Sequence, residues 1–237
     1  MLYCKKYCDT ETSLKDNFLF TEESLGVMKD AYGERYTKFY CYEAEIIQRI
    51  SENKDGFFDF SKSLIDIGAA TGEYCTNLNF NKIYVFEPCK RLLWTSQANL
   101  LNAGKEDIAY TYQVALSDKE GTESIFTNGL DVRWEVETKT LDSFNIENVG
   151  FIKIDVEGFE EKVIKGGLMT IIKNNYPPIL FECWQVGYNT ICGEMTQEKH
   201  DSLYNLLTSL GYTIFDGWGN RDTHLAVHKS QLEKNNQ

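Results

Sequence analysis

The chain has 237 residues, 42% apolar and 14% aromatic, with 36 acids against 24 bases and a formal net charge of −12. That is ample apolar material for a core of one large or two small domains. The acidity argues against general nucleic-acid binding, which relies on lysine and arginine to neutralise phosphates, and no stretch approaches the roughly 20 apolar residues of a membrane span.

Residues 1–37 are polar and aromatic without clear periodicity, and read as an N-terminal extension, a candidate substrate cap. Residues 38–237 read as one α/β domain. Phe39 to Ile50 has the helical spacing Tyr42, Ile46, Ile47, Ile50. A first strand, Leu64 to Ile67, runs into a glycine turn, Gly68 to Gly72, then a helical segment and a second strand, Ile83 to Phe86. Pro88 suits a helix start, and LLWTSQANLL follows as a core helix. Ile108 to Leu116 reads as a third strand. Glu123 to Phe126 and Trp134 to Thr138 read as a peripheral hairpin. Phe151 to Asp155 is a fourth strand, followed by a helix from Phe159 to Ile164 that Gly166 and Gly167 stop. Ile179 to Phe181 is a fifth strand, led by Pro178. A helix from Met195 to Leu210 closes at Gly211. Tyr212 to Phe215 and His224 to Val227 are the last two strands, around DGWGNRD. Strands alternating with helices predict a mostly parallel sheet covered on both faces.

Strand, glycine turn, helix, strand and acid is the plan of a nucleotide-binding βαβ unit. Here the acid is Glu87, at the tip of the second strand, where it can accept hydrogen bonds from two ribose hydroxyls. The glycine spacing is not that of a dinucleotide site: Ala69 and Ala70 stand between Gly68 and Gly72, where G-x-G-x-x-G would place another glycine. Asp66, just before the turn, repels a pyrophosphate and suits an ammonium. S-adenosylmethionine has an ammonium, a sulfonium and a ribose and no phosphate. A nicotinamide-dependent oxidoreductase remains the rival enzyme, and a cofactor- or glycan-binding module of the same fold the rival outside catalysis.

Ligands of such sheets sit beyond the carboxyl ends of the strands. Asp155 and Glu182 end strands four and five, which are neighbours in the usual order. Three readings are open for them. Asp155 is a base or anchor for a substrate hydroxyl; the two hold a divalent metal, Mg²⁺ or Mn²⁺; or they are solvated strand ends. Of the three histidines, His224 begins the last strand on the ligand side and is a minority candidate for the base, while His228 reads as structural and His200 as solvated. Trp184, Tyr188 and Trp218 lie in loops over the site, where aromatics suit sugar faces or pack beneath the loops. Seven cysteines without a C-x-x-C pair, and an N-terminus lacking the apolar core of a secretion signal, point to free thiols in a reducing, cytoplasmic setting. The residues set no oligomeric state.

FIKIDVEGFEEKVIKGG at 151–167 resembles a signature of the FkbM-type methyltransferases, as do LIDIGAATGEY, VFEP, VALSDKEGTESIF, TLDSF and PPILFE, in that order. The resemblance runs from about Tyr42 to Glu182 and more loosely beyond. It implies a class I S-adenosylmethionine-dependent methyltransferase with a Rossmann-like sheet of seven strands, the last antiparallel, and O-methylation of a sugar or similar hydroxyl. By resemblance, Asp66, Gly68, Ala69 and Gly72 cradle the methionine part, Glu87 with Pro88 holds the ribose, Val114 and Ala115 flank the adenine, and Asp155 lies near the methyl group. The expected partner is a small-molecule or glycan acceptor, with no nucleic acid and no membrane. The chain departs from the family at Ala70, where Asn is usual; two outcomes are open, weaker cofactor binding or replacement of the lost side-chain hydrogen bond by water.

Overall fold

The computed structural model describes residues 2–6, 17–21, 43–127, 130–190 and 193–233, with 2–6, 17–21, 126–127, 130–134 and 189–190 as backbone only. Leu2–Lys6 pairs antiparallel with Asn17–Thr21. The rest of the extension and the start of the expected first helix, Phe39 to Tyr42, lie outside the described residues.

Seven strands form the main sheet: β1 Ser63–Ile67, β2 Lys82–Phe86, β3 Ala109–Tyr112, β4 Val149–Ile154, β5 Ile179–Glu182, β6 Tyr212–Asn220 and β7 Thr223–His228. Their order is β3-β2-β1-β4-β5-β7-β6. β7 runs against both β5 and β6, and the remaining pairings are parallel. The expected seven-stranded, mostly parallel sheet is therefore present. Its order reverses between β1 and β4, and such a reversal opens a crevice at the carboxyl ends of the strands.

Alternation along the strands divides the core in two. Leu64, Phe151, Leu180 and Leu225 face one side, with Ile46, Ile47 and Ile50 of helix α1 (Ala44–Glu52) and Tyr74 and Cys75 of α2 (Glu73–Asn77). Leu93 and Leu100 of α3 (Lys90–Asn102) pack there too. Ile65, Ile67, Ile152, Ile154 and Phe181 face the other side. They pack on Val163 and Ile164 of α4 (Glu160–Gly166), Ile171 of α5 (Leu168–Lys173) and Leu203 and Leu207 of α6 (Gln197–Ser209).

Two expectations are corrected. The third strand does not run unbroken to Leu116. It leaves the sheet after Tyr112, and Ala115–Leu116 pairs in parallel with Thr138–Lys139 of a separate three-stranded sheet. Burial drives the break, because Val114 and Leu116 bury their side chains with Leu141 on the second face. The helix after Phe159 ends at Gly166 as expected, but Gly167 only turns the chain, and Leu168–Lys173 is helical again. The peripheral hairpin is formed by Gly121–Thr127 and Leu130–Lys139.

Candidate functional site

The polar site is written onto one face of the sheet by strand parity. Asp66 shares a face with Leu64, Glu87 with Val85, Lys153 and Asp155 with Phe151, Glu182 with Leu180, and Thr223 with Leu225. Register then sets neighbours: Asp66 is opposite Lys153, and Glu182 opposite Thr223. These groups gather at the carboxyl end, where the start of α1 brings Glu43 over the sheet. Glu43, Tyr74, Lys153, Asp155, Glu182 and Thr223 line a small cleft there.

The turn after β1 is held from within the protein. Gly68 has φ +69°, and a Cβ there would lie 1.8 Å from the Asp155 carbonyl oxygen. Gly72 has φ +85°, and its Cβ would meet Ser96 Oγ at 2.6 Å. The space that requires glycine at both positions is filled by the protein's own atoms, not left for a ligand. Ala70 adopts φ +47°, a left-handed conformation that asparagine takes more easily than alanine. The usual family residue thus suits this backbone better than Ala70 does. Glu87 ties the turn to β2: its Oε2 accepts the Ala70 N–H at 2.9 Å and its Oε1 the Cys89 N–H at 2.8 Å. Burial pushes the Glu87 carboxyl up to about 7, against the pull of those two amides. Each oxygen retains acceptor capacity. Pro88 follows Glu87 directly, and Val114 is buried while Ala115 is half-buried where the chain leaves β3.

Asp66 is fully buried beneath the turn, so its expected direct contact with a ligand ammonium is corrected. Its Oδ2 accepts the Cys75 N–H in the first turn of α2 at 3.2 Å, and its Oδ1 faces Lys153 Nζ at 3.6 Å. Lys153, 4% exposed, also donates to the Gly68 carbonyl at 2.7 Å and lies 3.6 Å from Asp155 Oδ2. Burial alone would push the Lys153 ammonium down. Asp155, Asp66, Glu43 and Glu87 outweigh it and hold the lysine above its ordinary value. One cation thus links β1, the glycine turn and β4.

Asp155 is placed at the β4 tip as expected, and its side chain is 33% exposed. Glu182 is beside it on β5, since Phe181 pairs with Ile154. Burial first, then Asp155, Glu157 and Glu160, raise the Glu182 carboxyl well above its ordinary value, and its Oε2 is buried without a hydrogen bond. Asp155, Glu157 and Glu182 each present one oxygen within 4.8 Å of the others. Glu160 secures the loop below: its Oε1 accepts the Val156 and Gly158 amides at 3.0 and 3.2 Å. Burial raises the Glu160 carboxyl to about 7.

His224 is not placed to act as a base. It is 7% exposed, its Nδ1 faces the Gly217 N–H at 3.1 Å, and its Nε2 faces the Cys183 carbonyl at 3.1 Å. The carbonyl requires a proton on Nε2, leaving Nδ1 to accept, and burial lowers the ring below its ordinary value. His228 is likewise buried, stacked on Tyr176, and His200 stacks on Tyr204. Trp218 belongs to the core, 6% exposed beneath Arg49. Trp184 and Tyr188 stack at 4.6 Å, and Tyr188 is 44% exposed. Sequence reasoning passed over Lys153, Glu43, Tyr74 and Glu160. Lys153 alone carried a signal, a charged residue inside the apolar run of a strand buried on both faces.

Strand order and the crevice at the carboxyl ends define a class I, Rossmann-like α/β domain, with Glu87 at the tip of β2. The Methyltransferase FkbM domain profile matches residues 66–214, more than half of the chain, and the chain belongs to that family of S-adenosylmethionine-dependent methyltransferases. The methyltransferase FkbM of Methylobacillus flagellatus KT is similar in structure, with a TM-score of 0.55 and 19% identity over 74% of this chain. The similarity covers 46% of that protein, so this chain spans less than half its length. A putative rRNA methylase from Clostridium thermocellum is similar with a TM-score of 0.50 and 10% identity, over 75% of this chain and 91% of that one. At such identities the likeness establishes the fold. No curated protein sequence matches the chain. Among the described residues no helix is long and apolar enough to cross a membrane.

Proposed function

We propose that the chain O-methylates a hydroxyl of a sugar, glycan or similar polyhydroxyl molecule. The carrying observation is Asp155: a carboxylate one-third exposed at the β4 tip, beside the glycine turn and steadied by a buried cation. S-adenosylmethionine, when bound, supplies a methyl group made electrophilic by its sulfonium. The residues present fit that cofactor. Residues 68–70 carry no side chain larger than a methyl group, and both Glu87 oxygens can accept further bonds from a ribose diol. Lys153 fixes the turn and Asp155 with respect to each other through the Gly68 carbonyl, so the cofactor shelf and the base share one anchor. Positioning is the larger part of such catalysis. Asp155 takes the hydroxyl proton at its carboxylate as the oxygen attacks. The stacked Trp184–Tyr188 pair, on the loop after β5, offers an apolar platform for a sugar face. With a net charge of −12, the acceptor is a small molecule or glycan rather than a nucleic acid.

Calorimetric titration separates this reading from its rivals: S-adenosylmethionine and S-adenosylhomocysteine bind in the low-micromolar range and NAD does not. A methyl-transfer assay over sugar and glycan acceptors then distinguishes an enzyme from a binding module. A second reading rests on the three oxygens of Asp155, Glu157 and Glu182 within 4.8 Å, which suit a hard divalent ion such as Mg²⁺ or Mn²⁺. Loss of turnover in chelator, restored by either ion, supports it; full activity in excess chelator eliminates it.

A further inference from the structure

We propose that the acceptor carries a positively charged amine, as an amino sugar does, and that Glu43 and Glu182 bind that amine beside Asp155. This rests on the methyl-transfer reading and narrows its substrate class.

The cleft is short of positive charge. Its lining residues include three carboxylates, Glu43, Asp155 and Glu182, and one cation, Lys153. Lys153 is committed beneath them, at 3.6 Å from both Asp66 and Asp155 and donating to the Gly68 carbonyl. Glu43 and Glu182 have no basic partner of their own among the described residues. Glu43 Oε1 accepts the Thr223 hydroxyl, at 3.3 Å. Glu182 Oε2 is buried and makes no hydrogen bond. The Tyr74 hydroxyl, on a side chain 3% exposed in the same lining, lies beside Glu43 and favours its charged form, against the burial that pushes the Glu43 carboxyl up to about 7. Burial without a counter-charge makes such a carboxyl hold its proton, and a cation beside it restores the carboxylate.

An ammonium supplies what the cleft lacks. It has three donors and no acceptor, so it can give one hydrogen to Glu43, one to Glu182 Oε2 and one to the Tyr74 oxygen. A neutral hydroxyl can satisfy one of these acceptors and brings no charge. A divalent ion would prefer the oxygens of Asp155, Glu157 and Glu182 and would leave the neutral phenol unused. The amine held here stays protonated, so its lone pair is unavailable to the methyl donor. A neighbouring hydroxyl on the same molecule is left to face Asp155, which accounts for O- rather than N-methylation.

The test is calorimetric, on the full chain saturated with S-adenosylhomocysteine and with chelator present. The probes are methyl 2-amino-2-deoxyglucoside, its N-acetyl derivative and methyl glucoside, with Mg²⁺ alone in a chelator-free arm. The amino glycoside is expected to bind about tenfold or more tightly than either neutral probe, the scale of a charged hydrogen bond. Glu43→Gln and Glu182→Gln should each remove that preference while leaving S-adenosylhomocysteine affinity unchanged, which also shows that the variants fold. Equal or undetectable binding of the amino and neutral probes overturns the proposal, as does a preference that survives in both variants. Mg²⁺ binding that depends on Glu182, without amine preference, overturns it in favour of a metal. Failure of S-adenosylhomocysteine to bind sinks the underlying methyl-transfer reading as well, so the two failures are distinguishable.

Discussion

Lys153→Met keeps most of the length of the side chain and removes its charge. The lysine faces Asp66, which is fully buried, at 3.6 Å. At that separation and an effective dielectric of about 20, the attraction is roughly 4–5 kcal/mol. Asp155 lies at the same distance but is one-third exposed, so solvent screens it and its contribution is smaller. The variant leaves Asp66 without a counter-charge and the Gly68 carbonyl without its donor. A loss of about 3–5 kcal/mol of unfolding free energy is expected, as for other buried pairs broken from one side. Adding Asp66→Asn to the variant should recover part of that loss, because the orphaned charge disappears. Urea denaturation of the wild type, both single variants and the double variant gives the coupling energy. A coupling of at least about 2 kcal/mol is expected. Strictly additive variants, or Lys153→Met within about 1 kcal/mol of wild type, would refute the view that this lysine organises the site.

Glu87→Ala should weaken S-adenosylmethionine binding by about 1.5–3 kcal/mol, the cost of lost charged hydrogen bonds. It should also lower the melting temperature, since the Ala70 and Cys89 amides lose their acceptor; wild-type affinity in a calorimeter would void the ribose assignment. Glu160 titrates at about 7 in the folded chain against 4.5 for the unfolded group, so the native state holds the extra proton. The stability this gives is present below about pH 4.5 and is lost as pH rises through about 7, by up to roughly 3 kcal/mol. Glu160→Gln has no such group, so its denaturation profile should be flatter over that window; parallel profiles for the two proteins would contradict the assignment.

The frame of the site was legible because it depends on local pattern. Leu64 to Ile67 is an apolar run before Gly68, and Ile83 to Phe86 one before Glu87; periodicity and glycine spacing place such elements without tertiary information. Asp155 and Glu182 followed from the rule that strand ends meet at one edge of the sheet. What was not legible depends on burial and register. Asp66 could be read as open to a ligand because nothing local reveals that Lys153, 87 residues on, is its partner across the β1–β4 pairing. Glu43 precedes a helix whose docking, not its sequence, brings it to the cleft. His224 looked available by position, and two backbone groups, the Gly217 N–H seven residues back and the Cys183 carbonyl 41 residues back, occupy its ring. The third strand reads as continuous to Leu116, yet the burial that turns it away involves Leu141.

The central claim is that Asp155 serves the acceptor while the turn and Glu87 serve the cofactor. Transfer of labelled methyl from S-adenosylmethionine to a polyhydroxyl acceptor, compared for wild type and Asp155→Asn at saturating cofactor, tests it most directly. The amide keeps the shape of the carboxylate but does not take up a proton. The account predicts label on an acceptor oxygen, a rate at least about a hundredfold lower in the variant, and unchanged S-adenosylhomocysteine affinity. Normal turnover by Asp155→Asn, or loss of cofactor binding in its place, would contradict it.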